Sequence, residues 1–221
     1  GALERMGLTA LGFPAFVTFL GANLVSNASS SIFGAALNTY ILAITGSAQT
    51  VGIASFVYSL PFALFMLHAG LAAHRFGSKL MVVVSLAGAG LAIIATGAAA
   101  LASWPLWVLV AFGCVMSTFQ TLGAPAFISI VNDLVPPRAV SSGVALTFLG
   151  FNVGRILGGI VGGVLLAALG ADIVVSAALT IIVAGVMQAV PALPIARLRV
   201  TESVARTTDR SMLKPLIEAA A

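Results

Sequence analysis

The chain has 221 residues, of which 60% are hydrophobic and 7% are Asp, Glu, Lys or Arg, and its mean hydropathy is +1.15. A water-soluble domain keeps roughly a quarter of its residues charged because its surface must face water, so this composition excludes a soluble fold and points to a bilayer. The net charge of +4 and the pI near 10.0 could suggest a nucleic-acid partner, but the placement of the basic residues explains both without one.

Taken in chain order, Met6 to Ala73 contains no Asp, Glu, Lys or Arg, and two further charge-poor stretches follow. One spanning helix takes about 20 apolar residues, so each stretch must fold back and cross twice. Six crossings result. Turn chemistry marks the reversals at Thr45-Gly46-Ser47, Ser103-Trp104-Pro105 and Leu169-Gly170-Ala171-Asp172. Helices are expected near residues 14–42, 49–73, 79–101, 105–131, 141–169 and 173–193. Long apolar runs without two-residue alternation argue against a barrel, leaving an all-α polytopic bundle as the fold class. Residues 1–193 form the expected six-helix transmembrane bundle and residues 194–221 a cytoplasmic tail. In that tail Met212, Leu213, Leu216 and Ile217 can share one face of a short amphipathic helix, with Pro215 limiting its regularity.

Basic residues collect on the cytoplasmic side of membrane proteins. Here they fall at Arg5, at Arg75 and Lys79, at Arg138, and at Arg197, Arg199, Arg206, Arg210 and Lys214, while the alternate connections have none. Both termini are therefore expected in the cytoplasm, in a multi-pass protein of the cell (inner or plasma) membrane. A cleavable leader over Met6 to Leu24 is the weaker reading, because the apolar run continues past Ser31 and no strongly basic region precedes it.

Weak internal symmetry follows the same boundaries. Val51-Gly52-Ile53-Ala54 opens the second helix and glycines 70 and 77 close it; Ser142-Gly143-Val144-Ala145 opens the fifth and glycines 163 and 170 close that. A three-helix unit is thereby repeated, and an odd number of crossings inverts the second copy, giving a 3+3 inverted repeat.

Three groups of residues resemble the major facilitator superfamily. Gly70, Arg75, Gly77 and Lys79 match its signature loop between helices 2 and 3, with His74 where the family has Asp and Ser78 where it has a basic residue. Gly154, Gly158, Gly159, Gly162 and Gly163 resemble its antiporter motif in helix 5, with Gly159 in place of a proline. A co-linear set, including Gly21, Asn27, Pro61, Pro125, Pro136, Asn152 and Arg155, is similar to the drug and siderophore (enterobactin exporter-like) branch. That resemblance implies a secondary-active exporter, an antiporter in mechanism, working by alternating access. Its members have twelve or fourteen helices, so six correspond to an N-terminal half. A second half is then an expected partner, in the same chain, in a separate chain or as a homodimer, besides the lipid bilayer and a small-molecule substrate. It also implies that helices 1, 2, 4 and 5 line the cavity, that residues 70–79 gate it, and that the tail resembles the linker between halves. The competing expectation is a non-transporting six-helix remnant or membrane assembly partner.

Polar groups inside a membrane are costly and tend to face a bundle interior or an aqueous cavity. Arg155 is the one Lys or Arg near the middle of an expected span. At 100° per residue Asn152, Gly158, Gly159 and Gly162 fall within about 60° of it, which predicts one shared face. Asn23, Asn27, Ser30 and Ser31 form a polar stripe on helix 1 at i, i+4, i+7 and i+8, while Tyr58 and Gln120 are further cavity candidates. Interhelical hydrogen bonding is the alternative role for such groups.

No carboxylate is expected mid-membrane, since Asp133 closes helix 4 beside Arg138 and Asp172 lies in an outer connection, so either a coupling acid belongs to the second half or coupling is absent. His68 and His74 titrate near neutral pH in general, and His74 makes a pH-sensitive gate conceivable. Their spacing and the single cysteine, Cys114, offer no metal site or intramolecular disulfide. With no phosphate loop or catalytic triad pattern, no enzymatic activity, cofactor or metal is expected.

Overall fold

The structure, a computed structural model, describes residues 9–170 and 172–198. These build helices α1 (Pro14–Thr45), α2 (Ala48–Phe76), α3 (Ser78–Leu101), α4 (Leu106–Leu134), α5 (Val140–Ala168), α6 (Ile173–Ala189) and the short α7 (Ala192–Arg197). Single 3₁₀ turns at Thr9–Gly12 and Pro137–Ala139 precede α1 and α5. No strand occurs among the described residues. Six segments are long and apolar enough to cross a membrane.

Local chemistry sets the helix ends. Pro14 occupies the first turn of α1, where its missing N–H costs nothing, and Gly46 ends the helix at φ 62° with its N–H bonded to the Leu42 carbonyl. Asp172 caps α6 by accepting a 2.8 Å hydrogen bond from the Val174 amide. Alone, α6 has 17 residues and would rise only about 26 Å, short of the ~30 Å hydrocarbon core. Beyond the break at Val190 and Pro191, α7 completes the crossing as far as Arg197.

Asp133 closes α4 from its last turn, the helix ending at Leu134. Two expectations need correction. Helix 6 is not continuous to residue 193 but stops at Ala189 before Pro191. The segment 70–79 is almost entirely helical rather than a loop, because α2 runs to Phe76 and α3 begins at Ser78. Only Gly77, at φ 86°, breaks the path, in a conformation that a side chain would disfavour.

Helix packing carries the repeat. α1 packs most extensively against α5 and α6, α4 against α2 and α3, and α3 against α6. Exchanging α1 with α4, α2 with α5 and α3 with α6 maps the first set onto the second and the α3–α6 contact onto itself. That is the pairing pattern of two three-helix units.

Lipid offers no hydrophobic drive for helix association, so close backbone approach must supply it. In the α1–α5 seam a side chain at Gly154 would strike the Leu24 carbonyl, and one at Gly158 the backbone of Ala28. Gly90 and Gly185 make the same kind of contact between α3 and α6. Replacing Gly158 with Val should therefore overpack the seam by about 1–3 kcal/mol and lower the thermal midpoint in detergent. Gly163→Val, where nothing lies within 4 Å, should leave it near wild type. Equal shifts would count against a seam set by glycine.

Candidate functional site: the polar face of α1, α4 and α5

The stripe on α1 divides between two neighbours. Asn23 is 3% exposed, and its Nδ2 donates to the Thr147 carbonyl of α5 at 2.9 Å. Asn27, half-buried, donates through Nδ2 to the Asn23 carbonyl at 2.7 Å and to Asn23 Oδ1 at 2.9 Å. Ser31 donates to the Arg155 carbonyl at 2.9 Å, fixing the middle of α5 to α1. On the other flank Gln120 of α4 donates through Nε2 to Ser30 Oγ at 2.6 Å, and Ser30 in turn donates to the Ser26 carbonyl at 2.9 Å. Asn23, Asn27, Ser30, Ser31 and Gln120 thus belong to one connected region across α1, α4 and α5.

Tyr58 stands apart from that region, packing its Cβ beside Gly113 of α4 and its ring edgewise to Phe33 at 6.4 Å between centroids. It reaches α1 through an aromatic contact rather than through the polar stripe.

The expected single face of α5 is split. Gly154, Gly158 and Gly162 are buried against α1, whereas Asn152, Arg155, Gly159 and Gly163 are exposed. Periodicity placed these residues side by side, but α1 covers only one half of the sector. Arg155 lies on the first open row. Its guanidinium sits over the Phe151 ring at 5.4 Å, a cation–π contact one turn back. Asn152 spends its Nδ2 on the Phe148 carbonyl at 2.9 Å. Beside Arg155, Gly159 has only Ser31 Oγ near the position a Cβ would take, at 3.9 Å, so the backbone there is accessible.

Depth makes this arginine unusual. It is about 20 Å from either end of α5 at 1.5 Å per residue, too far for its side chain to reach a membrane surface. A charge facing lipid at that depth is expensive, so the open row of α5 must face water or another protein surface.

At the end of the bundle where α2 meets α3, Lys79 donates through Nζ to the Leu198 carbonyl at 2.6 Å, and Ser78 and Ser129 share a hydroxyl hydrogen bond of 2.8 Å. Gly70 lies within α2 with open space beside it. The side chains of His68, His74 and Arg75 lie outside the described residues. Met212, Leu213, Leu216 and Ile217 lie outside them too.

Sequence reading missed two contributors. Phe151 was legible as the i−4 neighbour of Arg155. Gln188 had no comparable signal: it is 1% exposed, donates through Nε2 to Ser26 Oγ at 2.9 Å, and keeps Oε1 without a partner among the described residues. Together with Ser29, which donates to the Ala184 carbonyl at 2.5 Å, it ties α6 to α1.

A helical hexad with this pairing symmetry, glycine seam and midplane polar region is matched by the family model for the Major Facilitator Superfamily over residues 19–218. The chain belongs to the Major Facilitator Superfamily. No curated protein matches it. Membership supports membrane transport by a multi-pass protein, and it agrees with six spans arranged as half of a major facilitator fold.

The burial pattern generates a labelling prediction for this transporter-family chain. In a Cys114→Ala background, Arg155→Cys should react with a membrane-impermeant maleimide in intact membranes. Leu91→Cys, on the 65% exposed outer face of α3, should not. Protection of position 155 with labelling of position 91 would reverse the assignment of wet and lipid faces.

Proposed function

We propose that the chain is the N-terminal half of a secondary-active exporter of drugs or siderophore-like small molecules. The observation that carries this reading is the open polar row on α5, fixed at mid-membrane depth to α1 and flanked by the Ser30–Gln120 pair. Substrate meets Arg155, Asn152, Asn27, Ser30 and Gln120, with Tyr58 at the α2 side and Asn23 supporting Asn27 from behind. A second six-helix unit, in a longer chain, in a separate chain or as a second copy, closes the cavity and brings the coupling acid. Transport proceeds by rocking of the two bundles about this midplane site.

Gly70, His74, Arg75, Gly77 and Lys79 form the cytoplasmic gating segment, hinged at Gly77, in an inner or plasma membrane with both termini on the cytoplasmic side. The bundle is residues 1–193 and the linker is residues 194–221. Support for the exporter branch is the co-linear set from Gly21 to Arg155, and support for orientation is the distribution of basic residues.

Inside-out membrane vesicles from cells expressing the chain provide the test, using amphiphilic fluorescent solutes of positive, negative and zero charge. At least one solute should accumulate above vesicles from non-expressing cells under an imposed proton gradient, and dissipating the gradient should abolish the difference. Vesicles indistinguishable from controls for every solute would rule out export by copies of this chain acting alone.

A further inference from the structure

We infer that the open row of α5 selects amphiphilic organic anions over cations of similar size, with the Arg155 guanidinium receiving the anionic oxygens. The inference rests on the export reading for its physiological setting and narrows the substrate class that this site accepts. Its binding claim can be tested separately.

The charge inventory comes first. Arg155 is exposed on α5 at mid-membrane depth, and none of the chain's six acidic residues lies beside it in sequence or within a span interior. Glu4, Glu202, Asp209 and Glu218 lie outside the described residues, Asp133 occupies the last turn of α4, and Asp172 caps α6. The polar side chains that α1, the helix packed along α5, brings to it are the Asn23 amide and the Ser31 hydroxyl, both uncharged. This half therefore contributes a positive field to the midplane. A lipophilic cation entering beside Arg155 meets repulsion in a medium that screens it poorly.

Local geometry favours the opposite charge. A guanidinium offers parallel N–H donors matched to two adjacent anionic oxygens, as in a carboxylate or a catecholate. The ring of Phe151 lies over the guanidinium on one side. Toward Gly159 no side chain intrudes, so an anion can approach without displacing protein atoms. The carbonyl of Arg155 is already engaged by Ser31, which fixes the backbone from which the guanidinium projects. Beyond it, Ile156 and Ile160 are exposed on α5 and provide an apolar surface for the body of an amphiphile.

Equilibrium dialysis of the detergent-purified full chain against 1-naphthoate and 1-naphthylmethylammonium compares ligands with the same aromatic body and opposite charge. Naphthoate should bind at least tenfold more tightly. Arg155→Gln should abolish the preference, and Arg155→Lys should keep part of it, losing the bidentate geometry but not the charge. Thermal midpoints within a few degrees of wild type establish that both variants are folded, and Arg155→Lys serves as the reference if Arg155→Gln is not. Equal binding of the two ligands by the wild type, or a preference that survives Arg155→Gln, overturns the inference.

The same pair in proteoliposomes separates the two readings. Anion preference in binding without movement of either solute keeps the anion site and rules out export by copies of this chain acting alone. Transport of the ammonium in preference to naphthoate keeps export and overturns the anion site.

Discussion

In hydrocarbon a helix can be held only by close backbone approach and by hydrogen bonds that leave no polar group facing lipid, and α1 satisfies both requirements on three sides. Gly154 and Gly158 bring the α5 backbone against Leu24 and Ala28, with Asn23 and Ser31 donating across the same seam. Ser29 and the Ser26–Gln188 pair hold α6. Ser30 meets Gln120 of α4, and Tyr40 donates to the Ala100 carbonyl of α3 at 3.0 Å. α1 is consequently a hub through which the two three-helix units join, with α4 as its counterpart and α3 against α6 as a further contact. A polar stripe that looks like a binding surface in one dimension is also the fastening of the bundle.

The two roles are separated by which atoms remain available. Asn23 is buried and committed to α5, so its contribution is to hold Asn27 and the seam. Arg155 commits only its carbonyl to α1 and keeps its guanidinium outside the seam, over Phe151. A helix that packs one glycine row against the hub and turns a cation the other way can transmit a force on the cation directly to the hub. α5 and α1 are thereby fastened to each other at the level of Arg155.

The six crossings were legible because charge exclusion and turn residues act locally: Gly46, Pro105 and Asp172 set helix ends through their own backbone or side chain. The course of residues 70–79 was not. A break was expected between residue 73 and residue 79, yet the helix runs on to Phe76 and Gly77 alone accommodates the reversal. The divided face of α5 was equally hidden, since a helical wheel gives angles between side chains but not the bearing of the neighbouring helix. Gly162 and Arg155 are close on that wheel and fall on opposite sides of the seam edge. Gln188 illustrates a third limit, because a polar residue in an apolar run can face a partner helix or a cavity and only its packing against Ser26 decides.

Lys79 shows how a motif residue can be engaged inside its own bundle. Its ammonium binds the Leu198 carbonyl at the exit of α7, where the C-terminal end of a helix carries partial negative charge. α7 also packs along α3, so the start of α3 and the end of the last crossing are joined at one point at the same end of the bundle. Gly77 lies two residues before Lys79 and is the reversal between α2 and α3. A change in the path at Gly77 would therefore shift the residue that holds the exit of α7. The start of α3 and the exit of α7 are mechanically linked through Lys79.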